Sequence, residues 1–388
     1  MQRKICFHPC FIIMTLVCIL ALTGCMDGGN NQAAKSTPTI STDSISKMKS
    51  TLRNEGRSEQ FTGAVLIVQN GKILLREGYG KADWGQDISN KPETRFRIST
   101  LSEQFNALGL LLLQDQGKLS LTDQICKYIA DCPANWQSII IEQLILHTSE
   151  IPDYVSRGTY SDIKARTITP EQLIALFKDQ PLTEAYKGRP VFSASNQILE
   201  GYIMEKVSGQ SYGDYLQSAI FGPLHLTHTS YVKNNEPLPD YATGYSQPRV
   251  VSDPIDASVL YASGGIYSTV DDLYTFDQAL IQHKIGTQAL WKNLFTTKYA
   301  YCGAESSCGG RYVEAGLGYG WFIGKERGDN GSEREVYFND GDYEGFSSAN
   351  IYYPDQKVSV IILSNATTDP IQVYDEEGLI ENSLFPTS

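Results

Sequence analysis

The sequence predicts an α/β (α+β) fold: an antiparallel sheet built from both chain ends, flanked by helices, with a mainly helical lobe inserted between its halves. Two observations predict it. β-rich runs stand near residue 61 and return only after residue 319, while helical patterns fill the stretch from about 101 to 283. Strands at both ends with helices between them are the pattern of one sheet closed by its termini.

The first strands lie in "FTGAVLIVQNGKILLREGYG" (61–80), where two β-rich runs flank Asn70-Gly71. Both of those residues tolerate positive φ, so the segment predicts a hairpin. Helical spacing follows in "QFNALGLLLLQDQG", "PEQLIALFKDQ", "NQILEGYIMEKVSG" and "TVDDLYTFDQALIQH". Several of these end at Gly, as helix C-termini often do. Strand character returns in "YGWFIG" (319–324), "REVYF" (334–338), "GFSSANIYY" (345–353) and "KVSVIILSN" (357–365). The weakly patterned residues 367–388 are expected to form a loosely held tail.

The N-terminus predicts export. Arg3 and Lys4 precede an apolar run, Cys10 to Leu22, too short to span a bilayer comfortably. It ends in Leu22-Thr23-Gly24-Cys25, which resembles a bacterial lipoprotein cleavage box with Cys25 as lipid acceptor; an ordinary secretory peptide cut nearby is the alternative. The expected organisation is a signal at 1–24, a polar tether at 25–44 and a folded domain at 45–366. With 32 basic and 44 acidic residues the net charge is −12. That argues against nucleic acid and against electrostatic docking on a membrane, so the lipid would be the anchor in the bacterial cell envelope. Four cysteines fall in two close pairs beyond the signal: Cys126 with Cys132, and Cys302 with Cys308. Local disulfides are the simplest pairing in an oxidising compartment; zinc is the weaker alternative because neither pair has C-x-x-C spacing. No cofactor motif appears.

Nine stretches then carry a resemblance: "FRISTLSEQF", "GKLSLTDQI", "LILHTSEIPDY", "FSASNQILEGYIMEKVSGQSYGDYL", "GPLHLTHTSY", "YASGGIYSTVDDLYTF", "GLGYGWFI", "NDGDYEGFSS" and "VSVIILSN". In this order and spacing, from about Phe61 to Asn365, the chain resembles the serine β-lactamase-related family, which includes class C-type β-lactamases, D,D-peptidases and esterases. The resemblance implies a β-lactamase/transpeptidase-like fold. It also implies three small catalytic motifs, and all three are altered. Where the family has Ser-x-x-Lys, this chain has Thr100 and Glu103; where it has Tyr-x-Asn, it has Ala194 and Asn196. The third motif, Lys-Thr-Gly or His-x-Gly on a strand beside the cleft, is matched by Asn339-Asp340-Gly341, with Gly341 expected to let substrate approach the backbone.

A hydroxyl becomes a useful nucleophile only when a neighbouring base takes its proton. Ala194 has no proton to exchange, and Glu103 would repel the anion that a Lys steadies. Thr-x-x-Glu is also a capping box, in which Thr100 accepts from the residue-103 amide and Glu103 reaches back to the residue-100 amide. The sequence therefore supports a catalytically impaired envelope protein that binds a component or a small neutral or cationic ligand. The other reading is a hydrolase using Thr100, or the adjacent Ser99 or Ser102, through a rebuilt proton path. Glu103, Asp340, Asp342 and Glu344 predict an acidic cleft that disfavours carboxylated substrates. Asp153 and Tyr154 are candidate proton carriers only if their loop folds over that cleft. Ser-x-x-Lys spacing at Ser44/Lys47, Ser46/Lys49, Ser161/Lys164 and Ser230/Lys233 reads as chance, and His225, His228 and His283 read as structural.

Overall fold

The computed structural model describes residues 40–156, 159–232, 239–302, 312–328, 331–367, 380 and 384–385. Strand β1 (Gly63–Gln69) pairs with β2 (Lys72–Tyr79) through the expected hairpin, with Asn70 and Gly71 both at positive φ. Two short strands, β3 (Phe96–Arg97) and β4 (Ser230–Tyr231), flank β5 (Ile266–Ser268) in a small separate sheet. Strands β6 (Tyr299–Cys302), β7 (Tyr312–Leu317), β8 (Phe322–Arg327), β9 (Glu333–Tyr343), β10 (Phe346–Tyr353) and β11 (Val358–Ser364) complete the main sheet.

The main sheet runs β6-β7-β8-β9-β10-β11-β1-β2, antiparallel throughout. Its closure joins the chain ends: Gly63 faces Ser364 and Gln69 faces Val358. Because both faces are covered, β1 is buried at every position. Its odd-numbered residues Val65 and Ile67 enter one core, and Ala64, Leu66 and Val68 the other. This explains an apolar run without the alternation of a half-exposed strand.

The larger core lies between the sheet and the helices α2 (Glu103–Asp115), α3 (Ala194–Ser208) and α4 (Val270–Ile281). Helix α3 is buried from Ala194 to Met204 and ends at Gly209, whose φ of 72° closes the last turn. The smaller core, on the opposite face, holds a helix absent from the sequence reading, α1 (Thr42–Arg57). Ser41 caps it by accepting from the Ser44 amide, and Met48 and Leu52 are buried one turn apart.

The structure moves two expected boundaries. Residues 42–44, assigned to the tether, are the first turn of α1, because Ser41 is its cap. At the other end, Ile380 and Leu384 are buried in the smaller core and Phe385 packs on Tyr353, so these apolar residues tie down a segment expected to be loose. The strands β6 and β7 lie outside the sequence-predicted strands, because their residues alternate too weakly. Cys126 and Cys132 form a disulfide. Cys302 is also disulfide-bonded, and Cys308 lies outside the described residues. Residues 1–39, with the expected signal and Cys25, lie outside them too, and no described helix is long and apolar enough to cross a membrane.

Candidate active-site cleft

Three elements meet at one cleft. The turn Ser99–Ser102 and the first residue of α2 supply Thr100 and Glu103, β9 supplies Asn339, Asp340 and Asp342, and Asn196 at the start of α3 reaches the cleft through His147. Thr100, Glu103, Asn339, Asp340 and Asp342 line a cavity of about 320 Å³ with His147, Phe192, Tyr301, Leu317 and Phe322. Thr100 and Glu103 thus line the same cavity as Asn339.

The expected capping box does not form. Ser99 takes a left-handed conformation (φ 53°), and residues 99–102 wind into a 3₁₀ turn before α2 begins. The Glu103 amide donates to the Thr100 and Leu101 carbonyls, so the turn's own backbone satisfies it. Both side chains are released from capping. The Thr100 hydroxyl donates to the Asp340 carbonyl at 3.3 Å, and Glu103 turns to His147, with Oε1 3.3 Å from Nε2. Ser99 and Ser102 are buried, bonded to the Phe346 and Ser99 carbonyls respectively. A main-chain carbonyl cannot accept a proton as a base does, so none of these hydroxyls is activated by its observed partner.

His147 is the residue whose role the sequence left unread. It sits just past the helix Ile141–Ile145 with φ 52°, which turns its ring into the cleft. The Ser193 amide donates to Nδ1 at 3.2 Å, and Asn196 Nδ2 lies 3.1 Å from the same atom. Nδ1 is therefore an acceptor, while Nε2 lies 3.3 Å from Glu103 Oε1 without a hydrogen bond among the described residues. Asn196 Oδ1 in turn accepts from Ser149 Oγ at 2.6 Å. The surviving Asn thus positions an imidazole. Ala194 is buried and donates its amide to Asp153 Oδ1.

A second carboxyl lies behind the first. Glu200 stands one helical turn beyond Asn196 and is wholly buried, with the Asn106 side chain beside its carboxyl. Burial, with the nearby Glu103 carboxylate adding to it, pushes its pKa well up and favours the neutral acid. Similarly, burial and then Asp340 raise Asp342 above the usual carboxylate range. Partial burial and then the Glu103 carboxylate push Tyr301 up to about 12. The Asn196-to-Glu200 spacing was the sequence signal for this second acid.

Other expectations are corrected. A Cβ on Gly341 would stand 2.5 Å from the Ile98 carbonyl oxygen and 2.6 Å from the Leu101 nitrogen. Gly341 therefore lets β9 press on the turn bearing Thr100, a packing demand at this position. Asn339 is buried with its Nδ2 donating to the Gly320 carbonyl. Glu344 lines a different cavity, 3.8 Å from Lys164, so the cleft contains three of the four expected acids. Tyr154 is buried and donates to the Val259 carbonyl, and neither it nor Asp153 lines the cleft. Lys164 pairs with Asp253, and Ser44 and Ser46 belong to α1 on the far face of the sheet.

A family model described as Beta-lactamase matches residues 48–381. The chain belongs to that family. Over 332 residues it is 32% identical to PbpX of Bacillus subtilis (strain 168), an alignment covering 84% of this chain and 74% of that protein. Its fold is similar to that of a penicillin binding protein from Bacillus halodurans, with a TM-score of 0.71, 22% identity and coverage of 85% and 99% of the two chains. It is also similar to that of a D-stereospecific amidohydrolase from Streptomyces sp., with a TM-score of 0.72, 24% identity and coverage of 89% and 99%. In the β-lactamase family frame, the position expected to bear the catalytic Lys carries a carboxylate paired with an imidazole.

Proposed function

We propose that this chain is an exported, lipid-anchored β-lactamase-family protein that holds a neutral or cationic group of the cell envelope and is impaired in cleaving carboxylated substrates. The observation that carries this reading is the cleft's composition. Glu103, Asp340 and Asp342 line it beside His147, and none of its described lining residues is a lysine or arginine. Two unit charges 4 Å apart interact by about 4 kcal/mol at an effective dielectric near 20, so a carboxylate is disfavoured there and an ammonium favoured. Phe192 and Tyr301 add half-exposed rings to the cation's side of the balance. The D-stereospecific amidohydrolase among the structural neighbours makes a D-aminoacyl amine the first ligand class to try.

The test titrates the purified chain with D-alaninamide, a cation, and N-acetyl-D-alanine, an anion, by calorimetry. The expected result is saturable binding of the amide at least about tenfold tighter than the anion. Equal binding, or tighter binding of the anion, refutes the acidic cleft. A fluorescent penicillin is expected to leave residues 99–102 unlabelled. The rebuilt-hydrolase reading draws on the Glu103–His147 pair, one turn from the Thr100 hydroxyl. Steady ester or amide turnover that disappears in Thr100→Val would establish it. For the anchor, Cys25→Ser is expected to release the protein from the membrane fraction.

A further inference from the structure

Arg97 is 7% exposed, and no described carboxylate lies within ion-pair distance of it. Among the described residues its guanidinium donates to the Tyr267 hydroxyl alone, from Nε at 3.1 Å and Nη2 at 2.6 Å. Two rings flank it, Tyr267 at 5.3 Å and Phe346 at 5.7 Å from centroid to Cζ. A buried cation is costly unless paired, and neutral hydroxyl and ring contacts compensate only part of that cost. The same guanidinium lines a cavity of about 320 Å³, separate from the cleft in all its lining residues.

The rest of that cavity has a definite chemistry. Tyr241, Tyr267 and Phe346 supply aromatic walls, and Val232 and Ile255 supply buried aliphatic ones. Ser252 and Thr243 also line it. A planar cation with no carboxylate at ion-pair distance among the described residues, set among apolar walls, describes a pocket for an anion with an apolar body. Asp253 and Glu344 stand at the cavity with Lys164 attached to both, at 2.6 and 3.8 Å. Those acids repel a phosphate dianion more than a carboxylate monoanion, and phosphate leaves the apolar walls unused.

We propose that this cavity is a second binding site, in which the Arg97 guanidinium receives the carboxylate of a small aromatic or aliphatic acid and the Tyr241–Phe346 walls hold its apolar body. The carboxylate meets the guanidinium beside the Tyr267 hydroxyl. This site is independent of the acidic cleft and opposite to it in charge preference.

The probe pair is 4-methylbenzoate and its neutral isostere 4-methylbenzamide, titrated into the purified chain and followed by ligand-observed NMR. At this size a dissociation constant of roughly 1 mM is expected for the acid, and the amide is expected to bind at least about tenfold more weakly. Val251→Trp fills the cavity mouth from a position 60% exposed, so it is expected to abolish binding without disturbing the core. Glu344→Gln removes a nearby negative charge and is expected to tighten the acid several-fold. Arg97→Gln is expected to abolish the preference for acid over amide. Equal affinity for acid and amide, acid binding that survives Val251→Trp, or no saturable binding up to about 20 mM would each overturn the proposal.

Discussion

Asp277 gives a prediction whose size can be worked from its surroundings. It lies on α4, 2% exposed; Asn350 Nδ2 donates to its Oδ1 at 2.8 Å, and Oδ2 has no partner. The same Asn350 amide lies 3.2 Å from Gln104 Oε1, so the group ties α4 and the sheet to the helix that carries Glu103. Burial pushes the Asp277 carboxyl up to about 8, and the Asn350 hydrogen bond offsets only part of that. The unfolded carboxyl titrates near 3.9. Below about pH 4 both states hold the proton. Between 4 and 8 the unfolded chain releases it while the folded chain retains it, so stability falls as pH rises. At about 1.4 kcal/mol per unit the loss reaches about 4 kcal/mol at pH 7 and levels off above pH 8. Asp277→Asn keeps the shape and an oxygen acceptor for Asn350 but cannot ionise. Urea unfolding of both proteins at half-unit steps from pH 4.5 to 8.5 measures the difference. The variant is expected to gain on the parent progressively, from near zero at the acid end to several kcal/mol at pH 8. A difference that is constant with pH, or that grows toward acid, refutes the argument.

Glu200→Gln tests the second buried acid by the same logic. Its raised pKa predicts that the variant gains stability over the parent as pH rises above the unfolded carboxylate range, which chemical denaturation at pH 5 and pH 8 would reveal. Gly341→Ala forces a Cβ against the Ile98 and Leu101 backbone and is expected to cost about 1–3 kcal/mol, seen as a lowered Tm. No loss of stability would refute that packing demand. Cys126→Ser with Cys132→Ser opens a loop of six-residue separation and is expected to cost about 2 kcal/mol in denaturant unfolding, with ligand binding unchanged.

Much of the fold was legible because its signals are local. The Asn70-Gly71 hairpin, the Gly209 helix end and the apolar run of β11 each follow from a few adjacent residues. Helix α1 was hidden because its few apolar residues stand among polar ones and look like tether until the sheet face that buries Met48 and Leu52 is known. Burial of Ile380 and Leu384 likewise depends on that distant face.

The altered site divides in the same way. The sequence alone determined which residue types are present: a Thr and a Glu at the head of α2, an Ala and an Asn at the head of α3, and an acid-rich strand opposite. Those identities removed the lysine and tyrosine expected to carry protons. Only the tertiary structure decided what the remaining groups do. Thr-x-x-Glu has two low-energy uses, a cap or a cleft pair, and the left-handed Ser99 selects the second by satisfying the Glu103 amide within the turn. His147, Glu200 and Arg97 acquire their character from burial and from partners tens of residues away in sequence. A side chain's charge state and its available partner depend on the surrounding solvent and packing, which the order of residues specifies only once the chain has folded.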